Sequence, residues 1–187
     1  MIYPQKLNSR NGEKIFRIAL LISIIIAGLL IMINKLTTPD VHWAALANCG
    51  IIYVWITVFY SIKRSSNIAA HVLLQMLAIT GVTLYIDKMT GERGWSVQLA
   101  IPIILIVANV TMLILTIISY KKYIKYAIYQ LMIVLVSFIP IILMIKGIME
   151  PGILAMIAIF ISVLNLNLSI ILCYKDIKEA IVRKMHM

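Results

Sequence analysis

Six long apolar runs separated by short polar links set the pattern of this chain. They extend approximately over Ile15–Asn34, Val41–Ile62, Asn67–Tyr85, Ser96–Ser119, Ile124–Ile145 and Gly152–Cys173. A helix crosses a hydrocarbon core of about 30 Å with about 20 apolar residues, because each unpaired backbone group in lipid costs several kcal/mol. The pattern therefore predicts an all-α, polytopic integral membrane protein with six transmembrane helices. Short links make consecutive helices antiparallel neighbours, which gives an up-and-down bundle. Thr38 before Pro39 is expected to cap the second helix, and Glu150 before Pro151 the sixth, with proline in the first turn. The expected organisation is a cytoplasmic segment over 1–14, a transmembrane domain over 15–173 and a basic amphipathic cytoplasmic tail over 174–187. In that tail Tyr174, Ile177, Ile181 and Met185 recur at helical spacing, so it is expected to continue the sixth helix along the headgroups.

Composition removes the competing classes. Hydrophobic residues make up 63% of the 187, charged residues 13%, and the mean hydropathy is +1.02. A soluble domain of this size buries roughly 70% of its unfolded surface and needs nearer a quarter of its residues charged. Two cysteines cannot form a disulfide framework. Cys49 is expected about two turns below the outer surface and Cys173 at the inner one, on the order of 20 Å apart in depth and too far to bridge.

The net charge of +10 suggests nucleic acid until the charges are placed. Thirteen of the 17 basic residues fall in the N-terminal segment, the second and fourth links and the tail. The other links hold only Lys35, Lys88, Arg93 and Lys146, balanced by Asp40, Asp87, Glu92 and Glu150. The positive-inside rule then puts both termini in the cytoplasm and turns the basic face toward anionic lipid headgroups. No nucleic-acid partner is implied. Lys14 and Arg17 precede the first run as they would a secretory signal, but its length and its exit through Asn34 and Lys35 indicate a retained span. Isoleucine far outnumbers leucine, as in AT-rich genomes, so a low-GC bacterium and its cytoplasmic membrane are the expected source and location.

Candidate chemistry is sparse. No Asp, Glu, Lys or Arg falls mid-span, where burying a charge costs at least about 2.5 kcal/mol. Asn67, His71 and Gln75 share one face of the third helix and, with Asn109 in the fourth, form a candidate polar stripe. The stripe reads either as a substrate or ion path or as hydrogen bonds joining helices. The other polar residues at depth are Asn48, Gln130, Ser137, Ser162, Asn165, Asn167 and Ser169, which read as glue between helices, with Asn167 pointing away from the face of its neighbours. Ala44, Ala47 and Gly50, and again Ala78 and Gly81, are small residues where the second and third helices are expected to approach. Pro102 and Pro140 each release a backbone carbonyl within a span, which gives a packed kink or a discontinuous helix. The outward loop containing Asp87, Gly91, Glu92, Arg93, Gly94 and Trp95 reads as a recognition loop or a well-made hairpin. No serine, zinc or paired-carboxylate motif of intramembrane catalysis occurs, so no enzyme, metal or cofactor is expected.

The run Ile86, Asp87, Thr90, Gly91, Gly94, Trp95, Ser96 and Pro102 resembles the signature of a bacterial six-span family of unknown function, domain-of-unknown-function number 6320. Tyr3, Pro4, Trp43, Tyr53, Trp55 and the ending Arg183, Lys184, Met185, His186 resemble it too, and the likeness covers nearly the whole chain. Members of that family commonly carry a zinc ribbon of two CxxC pairs before the first span; this chain has no CxxC. The resemblance implies the six-span architecture and no activity. Two functional readings remain. One is a non-catalytic scaffold or accessory component that binds lipid, a membrane-protein partner or a second copy of itself. The other is a compact transporter or channel-like carrier with a polar path near His71 and Gln75.

Overall fold

The computed structural model describes residues 9–63, 67–118 and 124–185, with side chains over 12–61, 67–118 and 127–171. Its helices are α1 (Ser9–Thr37), α2 (Trp43–Lys63), α3 (Ile68–Met89), α4 (Ile101–Ile118), α5 (Ile124–Ser137), α6 (Ile139–Ile145) and α7 (Ile153–Met185). Among the described residues, six segments are long and apolar enough to cross a membrane: Gly12–Thr37, Trp43–Ser61, Ile68–Met89, Ser96–Ile118, Ala127–Ile145 and Ile153–Ile171. They reproduce the six apolar runs.

Two prolines explain where the helices depart from one helix per run. Pro102 has no N–H and its ring crowds the carbonyl of Gln98. The chain answers with a wide π-helical turn over Ser96–Ala100, in which Ile101 N–H reaches back five residues to the Ser96 carbonyl. Pro140 breaks the fifth run outright. Phe138 forms a turn between α5 and α6, with Phe138 N–H on the Leu135 carbonyl at 3.2 Å and Ile141 N–H on the Phe138 carbonyl at 3.1 Å. Neither Pro39 nor Pro151 enters a helix: α2 starts at Trp43 and α7 at Ile153.

The chain divides into two compact units, Met1–Trp55 and Ile56–Met187. In the first, the capping role expected of Thr38 belongs instead to Asn34, in the last turn of α1. Its Oδ1 accepts the Ala44 N–H at 3.0 Å, while its Nδ2 donates to the carbonyls of Thr38 at 2.7 Å and Val41 at 2.6 Å. Thr38 Oγ1 accepts the Trp43 indole N–H at 2.9 Å. Phe16 meets Trp55 edge to face at 5.2 Å. Asn48 donates to the Ala27 carbonyl at 3.4 Å, and its buried Oδ1 accepts nothing among the described residues.

The second unit is built on α4, which packs against α3, α5 and α7. Its core gathers Ala69, Met76, Ile101, Leu105, Ala108, Met112, Ile133 and Ala158. Small side chains and the amides of Asn109, Gln130 and Asn165 share this interior with Leu105, Met112 and Ile133, while many Ile, Leu and Val side chains are exposed on the surface. A side-chain carbon added at Gly50 or Gly81 would meet nothing within 4 Å.

Candidate functional site

An acid in the last turn of a helix opposes the macrodipole, so Asp87 at the end of α3 needs a reason to be there. The reason is the next helix. Asp87 is only 5% exposed, and its Oδ2 accepts the Ser96 hydroxyl at 2.6 Å and the Ser96 N–H at 3.3 Å, capping the π turn from across the loop. Its backbone carbonyl accepts Glu92 N–H at 2.9 Å, the six-to-one bond that closes a helix end, with Gly91 at φ 102° in the position that glycine favours. Glu92 follows at φ 51° and Gly94 at φ 74°, so three residues turn the chain through the left-handed region. Gly94 then returns its carbonyl to Gln98 N–H at 3.0 Å. Lys88, Glu92 and Arg93 are exposed, and Trp95 is half-buried. Asp87 Oδ1 is buried with no partner among the described residues.

The second constellation is a chain of amides and hydroxyls inside the second unit. Asn109 on α4 donates from Nδ2 to Ser137 Oγ on α5 at 2.7 Å and to its own Leu105 carbonyl at 2.9 Å. Asn165 on α7 donates to both Asn109 Oδ1 at 2.8 Å and the Asn109 carbonyl at 2.9 Å. Gln130 on α5 donates to Asn165 Oδ1 at 3.1 Å and accepts from Thr116 on α4 at 3.0 Å. Ser137, Ser162 and Ser169 return their hydroxyls to helix carbonyls. Asn109, Gln130, Ser137 and Asn165 are all 0% exposed. The groups are neutral, fully buried and bonded to one another, each bond contributing about 0.5–1.5 kcal/mol and any broken one leaving an orphan.

The candidate stripe on α3 divides. Asn67 caps α3, its Oδ1 accepting Ala70 N–H at 3.4 Å. His71 is half-buried and meets Tyr60 edge to face at 4.7 Å. Gln75 donates to Thr57 Oγ1 at 3.0 Å, so both side chains reach back to the end of α2. Asn109 makes its hydrogen bonds within α4 and to α5 and α7, apart from these three. Thr116 belongs to the network and was not among the polar residues expected at depth. A signal for it exists in the sequence: Asn109 and Thr116 are seven residues apart on α4, as are Gln130 and Ser137 on α5, the spacing that returns to one face. Asn34 as a cap and Glu150 N–H donating to Gln98 Oε1 at 3.3 Å had no such signal. Among the described residues, no three of His, Cys, Asp and Glu cluster as a metal site would require. Cys49 is a free, half-buried thiol, and the side chain of Cys173 lies outside those described.

The model of a family of unknown function (DUF6320) matches residues 3–187, and the chain belongs to that family. No curated protein and no solved structure matches.

Proposed function

We propose that this member of the family is a non-catalytic component of a bacterial cytoplasmic membrane, a scaffold or accessory subunit with both termini in the cytoplasm. It binds protein or lipid partners through its helices and its basic inner face. One observation carries the reading: the amides of Asn109, Gln130 and Asn165 face one another in a fully buried core with their hydrogen bonds made internally. Such a network fixes the packing of three helices and offers no group that titrates near neutrality. A carrier needs His71, Gln75 and Asn109 around shared water, and the bonds of Asn109 run elsewhere. The basic residues of the N-terminal segment, links and tail supply the other half, each contributing about 1 kcal/mol beside anionic headgroups.

The test is purification in mild detergent with quantitative pull-down and mass spectrometry of retained phospholipid. The expected result is enrichment of anionic over zwitterionic lipid, or a membrane protein recovered reproducibly in stoichiometric amount. Recovery of neither overturns the reading.

A further inference from the structure

The helix α7 carries two seams of opposite character. One runs through Ala155, Ala158, Ser162, Asn165 and Ser169, all buried against the unit. The other, about 200° around the helix from it at two residues' offset, runs through Ile153, Met156, Phe160, Val163, Asn167 and Ile170. Its apolar members are exposed, from 40% at Val163 to 80% at Ile153. Its spacing alternates three and four residues, the repeat of a two-helix seam.

Asn167 does not belong on a surface given over to lipid. It lies 14 residues from the start of α7, roughly 21 Å along the axis, and four residues, roughly 6 Å, before the apolar span ends at Ile171. Its side chain is exposed. The half-buried Ser23 and Thr111 return their hydroxyls to helix carbonyls at 2.8 and 2.7 Å, whereas the Asn167 amide makes no hydrogen bond within the described residues. A bare amide in hydrocarbon costs several kcal/mol and is relieved by another polar group at the same depth.

We propose that this seam pairs with the α7 of a second copy in a parallel two-fold dimer, Asn167 against its counterpart. An amide is donor and acceptor at once, so it complements itself. Copies inserted in one orientation hold Asn167 at one depth by construction, a condition any other partner would have to meet separately. The backbone of α7 also runs without a break to Met185, and the sequence continues the seam spacing at Tyr174, Ile177 and Ile181 beyond the apolar span. A single asparagine within an otherwise apolar seam is a known device for fixing register and a two-stranded state. The inference rests on the preceding reading only for its membrane setting.

Single cysteines at Val163 and Ile170, in a background with Cys49 and Cys173 replaced by serine, are oxidised in native membranes. Val107→Cys, on the 58% exposed face of α4, is the control. Both α7 positions should give a disulfide dimer at least about tenfold above the control. In vesicles of phosphatidylethanolamine and phosphatidylglycerol, Asn167→Leu should raise the dimer dissociation constant about 5- to 30-fold, and Asn167→Gln should restore it. Equal cross-linking at Val107, or a dimer indifferent to Asn167→Leu, overturns the pairing. A monomer that still retains anionic lipid overturns the dimer and leaves the scaffold reading standing. A dimer that retains neither lipid nor another protein supports the pairing and removes the scaffold reading.

Discussion

Asp87 shows how one side chain serves two helices. Its carbonyl closes α3 and its carboxylate opens the π turn before α4, so the loop between them is held at both ends by one residue. Asn34 repeats the device between α1 and α2. The energetic consequence is measurable. A hydrogen bond to a charged group contributes about 1.5–3 kcal/mol, and a lost cap about 1. Asp87→Ala and Ser96→Ala should each lower stability in detergent, and the double variant should lose less than the sum of the two by about 1–2 kcal/mol. Thermal unfolding followed by tryptophan fluorescence reads this coupling, and strictly additive losses would show that the clip is not formed. The residues of this loop stand out in the sequence as a cluster of Gly, Asp and Trp. Their meaning does not, because the bond from Asp87 to Ser96 spans nine residues and depends on three left-handed turns whose order no composition specifies.

Between elements, prolines and amides divide the work. Apolar length alone locates the six segments long enough to span a membrane, since that length follows from bilayer thickness. It says nothing of azimuth or of how a proline is accommodated: Pro102 and Pro140 look alike in sequence and yet give a π turn in one place and a broken helix in the other. Azimuth also separates the two amides of α7. Asn165 and Asn167 are two residues apart, but one is 0% exposed and triply bonded while the other lies on the outward seam. Asn165→Leu strands Gln130 Nε2 and Asn109 Oδ1, each at about 1–3 kcal/mol, so a loss of at least about 2 kcal/mol in monomer stability is expected. Asn167→Leu should change it by less than about 0.5 kcal/mol. Chemical denaturation at high detergent dilution compares them, and equal losses would mean that the two faces of α7 are not distinct.

At the scale of the whole molecule, charge distribution becomes a statement about orientation. Thirteen basic residues lie in the terminal segments and in the second and fourth links, including Lys121, Lys122 and Lys125, while the remaining links are balanced by acids. Removing one span from the membrane would carry that lysine cluster to the far side, against about 1 kcal/mol for each basic residue near anionic headgroups. Six spans with both ends inside is therefore the arrangement that the charge count predicts. The structure identifies good reporter positions for it. Gly91 sits at φ 102°, where a cysteine would strain the turn, whereas Arg93 is exposed in the same loop with no such constraint. Ser65 falls in the link after α2, outside the described residues. In a background lacking Cys49 and Cys173, an impermeant maleimide applied to intact cells should label Arg93→Cys and leave Ser65→Cys unlabelled until the membrane is opened. The reverse pattern would refute the charge argument, and labelling of both would mean that α3 does not separate the two loops across the bilayer.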